Sequence, residues 1–180
     1  MAYSNILGAM IAGGASSRFG SDKALALFHG QPLIAHAQAA LEPVVGAIVV
    51  CGRTWGGLPM LADIPVAGLG PLGGIAAALA HAQGSGFTHV LTIGCDMPDV
   101  PDALLDDLIA RAPAYCSDAP ILGCWPASAG PTLAARLAGH ESGVKSGVLS
   151  IRRWAESIGA TPVPAPAPLR NVNTPADLPA

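Results

Sequence analysis

Short apolar runs bounded by turn residues alternate along this chain with segments of helical period, and this alternation is the strongest constraint on its fold. Strands are predicted at residues 6–11, 47–51, 60–64, 89–94, 120–124 and 161–163, and helices at residues 32–41, 71–82, 102–111 and 144–158. Because most of these strands are uniformly apolar, they favour a mainly parallel sheet that is covered on both faces. The sequence therefore predicts an α/β protein with three αβα layers.

The length and charge of the chain limit its organisation and its partners. A chain of 180 residues is about one domain long, so a single domain over residues 1–180 is expected. The formal net charge of -3 provides no basic field that would hold a polyanion. We therefore expect no nucleic-acid partner.

The distribution of apolar residues and cysteines indicates the compartment. No stretch approaches the ~20 uninterrupted apolar residues that span a bilayer, and no basic residue precedes the first apolar run. The four cysteines form no CxxC pair and have no histidine at zinc spacing. We expect a cytoplasmic chain with reduced thiols and no membrane association.

A glycine-dense loop at residues 12–23 directly follows the first predicted strand. In a parallel sheet this is the carboxyl end of a strand, where ligands bind. The glycines allow backbone N–H groups to approach a phosphate chain, and Arg18 and Lys23 supply positive charge. The loop lacks the GK[ST] ending of the Walker motif, and a flexible turn with two solvated cations is the alternative interpretation.

A second glycine cluster, at residues 68–74, satisfies the GxGxxG pattern, which makes a dehydrogenase an alternative. Only a short, proline-interrupted segment precedes this cluster, and a dehydrogenase would leave the loop at residues 12–23 without a role. We expect the cluster to provide close backbone packing and a helix N-terminus that favours anions.

Acidic residues follow the most apolar predicted strand. Asp96 lies close to the strand end, where one of its oxygens can hold a hard cation such as magnesium together with phosphate and water. Asp99 and Asp102 are instead expected to cap the following helix, because aspartate is a preferred N-cap residue.

The segment 171–175 follows a proline–alanine connector at residues 162–168, which is expected to return the chain to the body of the protein. Thr174 and Pro175 are typical of a helix N-terminus. This leaves Asn171 and Asn173 without a structural role, and neutral oxygens beside a metal–phosphate site are suitable further ligands.

These four elements, in this order, resemble the molybdenum cofactor guanylyltransferase family, often called MobA, over nearly the whole chain. The residues that carry the resemblance are Ala12, Gly13, Gly14, Ser16, Arg18, Gly20, Asp22, Lys23, Asp63, Gly70, Pro71, Leu72, Gly74, Cys95, Asp96, Pro98 and the segment 171–175. The resemblance implies a Rossmann-like nucleotidyltransferase fold and a Mg²⁺-dependent transfer of GMP from GTP to the phosphate of molybdopterin. It also implies release of pyrophosphate and transient contacts with other molybdenum cofactor proteins.

The resemblance also assigns roles to individual residues. Ala12, Gly13 and Gly14 line the nucleotide, Lys23 and Arg18 face its phosphates, Asp96 binds magnesium and Asn173 completes the metal site. Asp63 lies near the guanine, where its carboxylate can accept from both N1–H and the 2-amino group. A surface turn is the alternative for Asp63. For the acceptor phosphate the candidates are Lys145, Arg152 and Arg153, which the amphipathic pattern also fits as a solvated helix face.

Two other functions remain compatible with the sequence. One is the same chemistry on another acceptor, by a molybdopterin cytidylyltransferase or a sugar-phosphate nucleotidyltransferase. Those relatives usually carry an alanine in place of Gly13, which favours the guanylyltransferase. The other is a nucleotide-binding module without turnover, and the presence of Lys23 and Asp96 argues against it.

Overall fold

In the computed structural model of the protein, residues 3–13, 22–139 and 150–178 are described. The strands are β1 (Tyr3–Ile11), β2 (Leu27–Phe28), β3 (Gln31–Pro32), β4 (Val45–Cys51), β5 (Met60–Leu61), β6 (His89–Gly94), β7 (Ala114–Cys116), β8 (Gly123–Pro126) and β9 (Thr161–Val163). The helices are α1 (Leu33–Leu41), α2 (Pro71–Gly84), α3 (Asp102–Ala110), α4 (Gly130–Ala138) and α5 (Ile151–Ser157). Short 3-10 turns lie at Lys23–Leu25, Ala127–Ala129 and Pro175–Asp177.

Seven of the strands form one sheet in the order β5-β4-β1-β6-β8-β7-β9, and β2 pairs with β3 in a separate hairpin. The pairs β5–β4, β4–β1 and β1–β6 are all parallel. β8 runs antiparallel to both β6 and β7, whereas β9 is parallel to β7. The prediction of a mainly parallel sheet is confirmed, with one reversed strand inside it.

Helices cover both faces of the sheet, which confirms the three-layer αβα arrangement. One apolar cluster joins the sheet to α1 and α3 through Ile34, Ala37, Leu41, Leu104, Leu105 and Leu108. The other joins it to α2, α4 and α5 through Leu72, Ile75, Leu79, Leu133, Leu137 and Trp154. Within the described ranges, none of the helices has the length and hydropathy needed to cross a bilayer.

Helix α2 explains why the second glycine cluster lies where it does. Pro71 is its first residue, where a missing N–H costs no helical hydrogen bond. The helix is buried from Leu72 to Leu79 because it packs on the sheet with one side and on α4 with the other. A Cβ built on Gly130 of α4 would lie 3.2 Å from the Cβ of Leu79, so the two helices approach closely. Within the cluster, a Cβ built on Gly74 would lie 3.0 Å from the Cβ of Cys51, so the expectation of close packing is confirmed.

The parallel strands end at a common level. Ile11, the last residue of β1, lies opposite both Cys51 of β4 and Gly94 of β6, and Cys51 lies opposite Leu61 of β5. These four strands therefore end at the same edge of the sheet, and the segments that follow them lie close together there.

Several sequence predictions are wrong in detail. The strand predicted at residues 120–124 begins at Gly123 instead, because Leu122 belongs to the turn that donates to the Ala119 carbonyl. Strand β7 and helix α4 were not predicted, since β7 has only three residues and α4 begins with a glycine and a proline. Asp102 does not cap α3: the N-cap position is Pro101, and no side chain caps this helix. The predicted helix at residues 144–158 has its described part at Ile151–Ser157.

A chain of buried hydrogen bonds connects strand β8 to strand β6. The indole Nε1 of Trp125 donates to Thr92 Oγ1 at 2.9 Å, and this hydroxyl lies 2.6 Å from the carbonyl oxygen of Ile121, to which it donates. Thr92 and Trp125 are both fully buried. Without the hydroxyl, the indole N–H would be left in the core without an acceptor.

We expect Thr92→Val to lower the free energy of unfolding by about 1–3 kcal/mol, because the isosteric change leaves a buried donor unsatisfied. Urea unfolding followed by tryptophan fluorescence measures this loss. The exposed Thr161 in β9 provides a matched control, since Thr161→Val is expected to change stability by less than about 0.5 kcal/mol. Equal effects of the two substitutions would contradict the role of the hydroxyl.

Candidate functional site

Four chain segments meet at the carboxyl edge of the sheet. Ala12 follows β1, Gly52 follows β4, Asp63 follows β5 after one intervening residue, and Cys95 follows β6. Backbone hydrogen bonds join three of these segments: the Ala12 N–H donates to the Cys51 carbonyl, and the Gly52 N–H donates to the Leu61 carbonyl. Ligands of open parallel sheets bind at this edge.

Lys23 lies at the centre of the charged part of this edge. Its Nζ donates to Asp96 Oδ2 at 2.9 Å and to Asn173 Oδ1 at 3.1 Å. The Lys23 side chain is 16% exposed and that of Asp96 25%, so this ion pair is partly shielded from water. The structure thus brings together three predicted site residues that are up to 150 positions apart in the sequence.

The segment around Asn173 is held in place by its own backbone. The N–H of Val172 donates to the Asp96 carbonyl, and Val172 is fully buried. Asp177 accepts from the N–H groups of Asn173 and Thr174 and from the Thr174 hydroxyl. These bonds hold the pKa of the Asp177 carboxyl below its ordinary value, the Asn173 N–H contributing most. The predictions that Thr174 begins a short helix and that the connector returns to the body are confirmed.

A narrow backbone contact forms the neighbouring part of the edge. Gly52 has a φ of +89°, and a Cβ built on it would lie 2.5 Å from the Gly13 Cα. Any side chain at Gly52 would therefore push the end of β1 away from the end of β4. A Cβ on Gly13 would meet Gly52 Cα at 3.4 Å and Asp63 Oδ1 at 3.8 Å, so Asp63 lies directly beside this contact.

Asp63 is packed into the structure and does not simply lie in a surface turn. A Cβ built on Gly73 would lie 3.0 Å from the Asp63 Cβ, and the Ile64 N–H donates to the Gly73 carbonyl. Burial raises the pKa of the Asp63 carboxyl above its ordinary value, while a hydrogen bond from the Gly68 backbone acts in the opposite direction. The second glycine cluster therefore makes room for this carboxylate.

Arg53 is a residue of this edge that the sequence analysis did not single out. Its two terminal nitrogens donate to the two carboxylate oxygens of Asp22 at 2.6 and 2.7 Å. Its position directly after Gly52, at the end of a predicted strand, was the one indication in the sequence that it belongs to this edge. A single arginine at a strand end cannot be distinguished, from sequence alone, from one that is simply solvated.

Cys95 is adjacent to Asp96, yet its thiol is unsuited to nucleophilic attack. Burial and, to a smaller extent, the neighbouring Asp96 raise the pKa of Cys95 to about 11, although Lys23 and Arg53 oppose this shift. A thiol with this pKa stays protonated at neutral pH. The chemistry of the edge therefore depends on its charged and polar groups.

Other predicted residues lie elsewhere. Gly14, Arg18 and Lys145 are outside the described residues. Asp99 is exposed and pairs with Arg170 at 3.4 Å, so it neither caps α3 nor faces Lys23. Arg152 donates to the Ser117 carbonyl at 2.7 Å. In the described segments no three His, Cys, Asp or Glu side chains cluster as a metal site, so a cation there would need further ligands such as Asn173, phosphate or water.

A cavity of about 490 Å³ adjoins the charged part of the edge. Its lining residues are Met97, Asp118, Ala119, Ala165, Pro166, Ala167, Pro168, Leu169 and Asn171. Met97 follows Asp96 and Asn171 lies two residues before Asn173, so the cavity lies beside the Lys23 cluster. Asp118 also accepts from the Ala165 N–H at 3.0 Å, which fixes the proline–alanine connector as one wall.

Comparison with known proteins identifies the family. The family model described as the MobA-like NTP transferase domain matches residues 8–156. The molybdenum cofactor guanylyltransferase of Rhodobacter capsulatus is 37% identical over 187 residues, which cover 96% of this chain and 93% of that protein.

Solved structures share the fold. Molybdopterin-guanine dinucleotide biosynthesis protein A from Archaeoglobus fulgidus superposes with a TM-score of 0.70 at 22% identity, covering 95% of this chain and 94% of that one. A Mycobacterium tuberculosis H37Rv protein crystallised in complex with manganese superposes with a TM-score of 0.61 at 15% identity, covering 96% and 95%. With this Rossmann-like α/β fold, the matching family domain and a close relative along almost its full length, the chain belongs to the molybdenum cofactor guanylyltransferase family of nucleotidyltransferases.

Proposed function

We propose that this enzyme transfers GMP from GTP to the phosphate of molybdopterin, releasing pyrophosphate and forming the guanine dinucleotide cofactor. The observation that carries this proposal is the convergence of Lys23, Asp96 and Asn173 at the carboxyl edge, where Asp63 lies beside the contact between Gly13 and Gly52. Lys23 supplies positive charge for a triphosphate, and Asp63 supplies a carboxylate that can accept hydrogen bonds from a base.

The triphosphate would lie along the loop that starts at Ala12, Gly13 and Gly14. Lys23 is the described cation nearest to Asp96, and Arg18 is proposed as a second phosphate contact. In the reaction, a phosphate oxygen of molybdopterin attacks the α-phosphorus of GTP and forms a new P–O bond. The bond from the α-phosphorus to the bridging oxygen breaks, and its electron pair leaves with pyrophosphate. Lys23 stabilises the charge that builds up, a contribution of about 3 kcal/mol for one such donor.

The residues around Lys23 are suitable for a Mg²⁺ ion. Asp96 and Asn173 direct one carboxylate and one amide oxygen at a single cationic atom, the ammonium of Lys23, so the two oxygens already converge on a positive charge. Magnesium is usually held by one or two carboxylates together with substrate phosphates and water. When bound, the ion would neutralise charge on the phosphates. Asp177 would support this site by fixing the backbone of Asn173.

Asp63 is proposed to select guanine. Its carboxylate lies beside the Gly13–Gly52 contact and is partly withdrawn from water by Gly73. In its ionised form it can accept two hydrogen bonds, from N1–H and from the 2-amino group of guanine, which adenine and cytosine do not offer in this arrangement. This contact favours GTP over the CTP that a cytidylyltransferase uses.

The acceptor is proposed to approach from the cavity lined by Met97 and Asn171, because Met97 directly follows Asp96. We further propose a single domain working in the cytoplasm, where its four cysteines, all free thiols in the structure, would stay reduced. Transient contacts with other molybdenum cofactor proteins would deliver the acceptor and remove the product.

We expect calorimetry to give tighter binding of Mg·GTP than of Mg·ATP or Mg·CTP. Asp63→Ala should weaken GTP binding by about tenfold or more, because hydrogen bonds to a charged group are lost, and should leave ATP binding unchanged. Since the pKa of Asp63 is raised, the carboxylate protonates at a higher pH than an ordinary aspartate, and GTP preference should decline as the pH is lowered through that value.

Asp106→Ala is the matched control for Asp63, because Asp106 is an exposed aspartate of α3. It should leave all three affinities unchanged. Equal affinities for the three nucleotides, or tightest binding of CTP, would overturn the guanylyltransferase and favour the cytidylyltransferase.

Asp96→Asn should remove most of the Mg²⁺ dependence of GTP binding, a loss of about 10- to 100-fold, because it takes away the negative ligand. Calorimetric titration of GTP with and without Mg²⁺ measures this dependence. Asp177→Asn should weaken it less, since it only loosens Asn173.

Asp99→Asn is the control, because Asp99 lies three residues from Asp96 but pairs with Arg170. The metal assignment is wrong if Asp96→Asn keeps the wild-type dependence on Mg²⁺.

A further inference from the structure

Arg53 and Asp22 form the shortest ion pair among the described residues. Both carboxylate oxygens of Asp22 accept from separate terminal nitrogens of Arg53, at 2.6 and 2.7 Å. The Arg53 side chain is only 20% exposed, whereas that of Asp22 is 47% exposed. Paired hydrogen bonds of this kind fix direction as well as distance, because the guanidinium is planar and rigid.

This pair lies at the carboxyl edge of the sheet. Arg53 follows β4, and β1 lies between β4 and β6 in the sheet. Arg53 directly follows Gly52, where the ends of β4 and β1 touch, since a Cβ built on Gly52 would lie 2.5 Å from the Gly13 Cα. Arg53 therefore begins near the end of β1 and reaches Asp22, the residue before Lys23.

Asp22 immediately precedes Lys23. By holding Asp22, Arg53 therefore also restricts the position of the Lys23 backbone. The pKa of the Asp22 carboxyl lies below its ordinary value, chiefly because of the hydrogen bonds from Arg53. A carboxylate close to a triphosphate would repel it, and the guanidinium neutralises that charge. Arg53 directs one N–H of each terminal nitrogen at Asp22. Asp22 therefore sets the orientation of the guanidinium, and Arg53 in turn holds Asp22 in place.

We propose that Arg53 is a positioning residue for the triphosphate: its paired hydrogen bonds to Asp22 fix the end of the glycine-rich loop and direct Lys23 to the phosphates. This inference rests on the proposed nucleotide site, but it concerns residues to which the proposed reaction assigns no role. It separates the recognition of the phosphates, which depends on the pair, from the recognition of the base, which depends on Asp63.

The test compares GTP with GMP on the full-length protein, by calorimetry in the presence of Mg²⁺. Arg53→Gln and Asp22→Asn should each weaken GTP binding by about tenfold, which corresponds to the loss of one charge-assisted interaction. GMP binding should stay within about twofold of wild type, because Asp63, the proposed base contact, is unchanged. The double variant should be no weaker than either single variant, since the two residues act as one unit.

Arg53→Lys tests whether geometry matters in addition to charge. A lysine keeps the charge but cannot form the paired bonds, so this variant should bind GTP as weakly as Arg53→Gln. The matched control is Arg111→Gln, which removes an exposed arginine paired with Asp107 on α3, and it should bind both nucleotides as the wild type does.

Four results would overturn the proposal: wild-type GTP affinity in Arg53→Gln, equal losses for GTP and GMP, losses that multiply in the double variant, or full restoration by Arg53→Lys. An equal loss for both nucleotides would show that the pair only stabilises the fold. Failure of the wild type to bind GTP is a separate result, because it would count against the proposed function itself.

Discussion

The arrangement of this site depends on the register of the parallel strands. Ile11 lies opposite both Cys51 and Gly94, so the chains that leave β1, β4 and β6 start from one level of the sheet. The residues that directly follow these strands therefore lie on neighbouring positions along one edge of the sheet. A shift of one residue in this register would turn each strand's side chains to the opposite face and separate the groups.

Around this edge, small residues and charged residues have complementary functions. Gly13 and Gly52 allow two strand ends to touch, and Gly73 leaves room for the Asp63 carboxylate beside them. The charged part is held by side chains on loops, which by themselves would be mobile. Backbone bonds compensate for this: Val172 is tied to the Asp96 carbonyl, and Asp177 holds the N–H of Asn173. Among the described residues, Asp96 and Asn173 are therefore held in place by the backbone as well as by Lys23, which reduces the entropy that a ligand would have to remove.

The part of the sheet beyond β6 is built differently. There β8 reverses the strand direction, and the core contains the large side chains Trp125 and Trp154 in contact with each other. Thr92 connects this aromatic core to β6 through the indole of Trp125. The same strand β6 thus carries Asp96 at its carboxyl end and a packed aromatic core on its flank, so the stability of that core supports the position of the acid.

The parallel half of the fold and the order of the motifs can be predicted from the sequence, because uniformly apolar strands and glycine-rich turns are local patterns along the chain. The sequence also identified Lys23, Asp96 and Asn173 as candidates, from local patterns and from the resemblance to a family. It missed β7 and α4, and it placed β8 too early, because three-residue strands and a helix that starts with Gly130 carry almost no periodic signal. Three contacts could be seen only in the folded chain: Lys23 lies between Asp96 and Asn173, Asp63 packs against Gly73, and Arg53 holds Asp22. These contacts join residues that are far apart in the sequence, and their partners are selected by strand order and register, which no local pattern records.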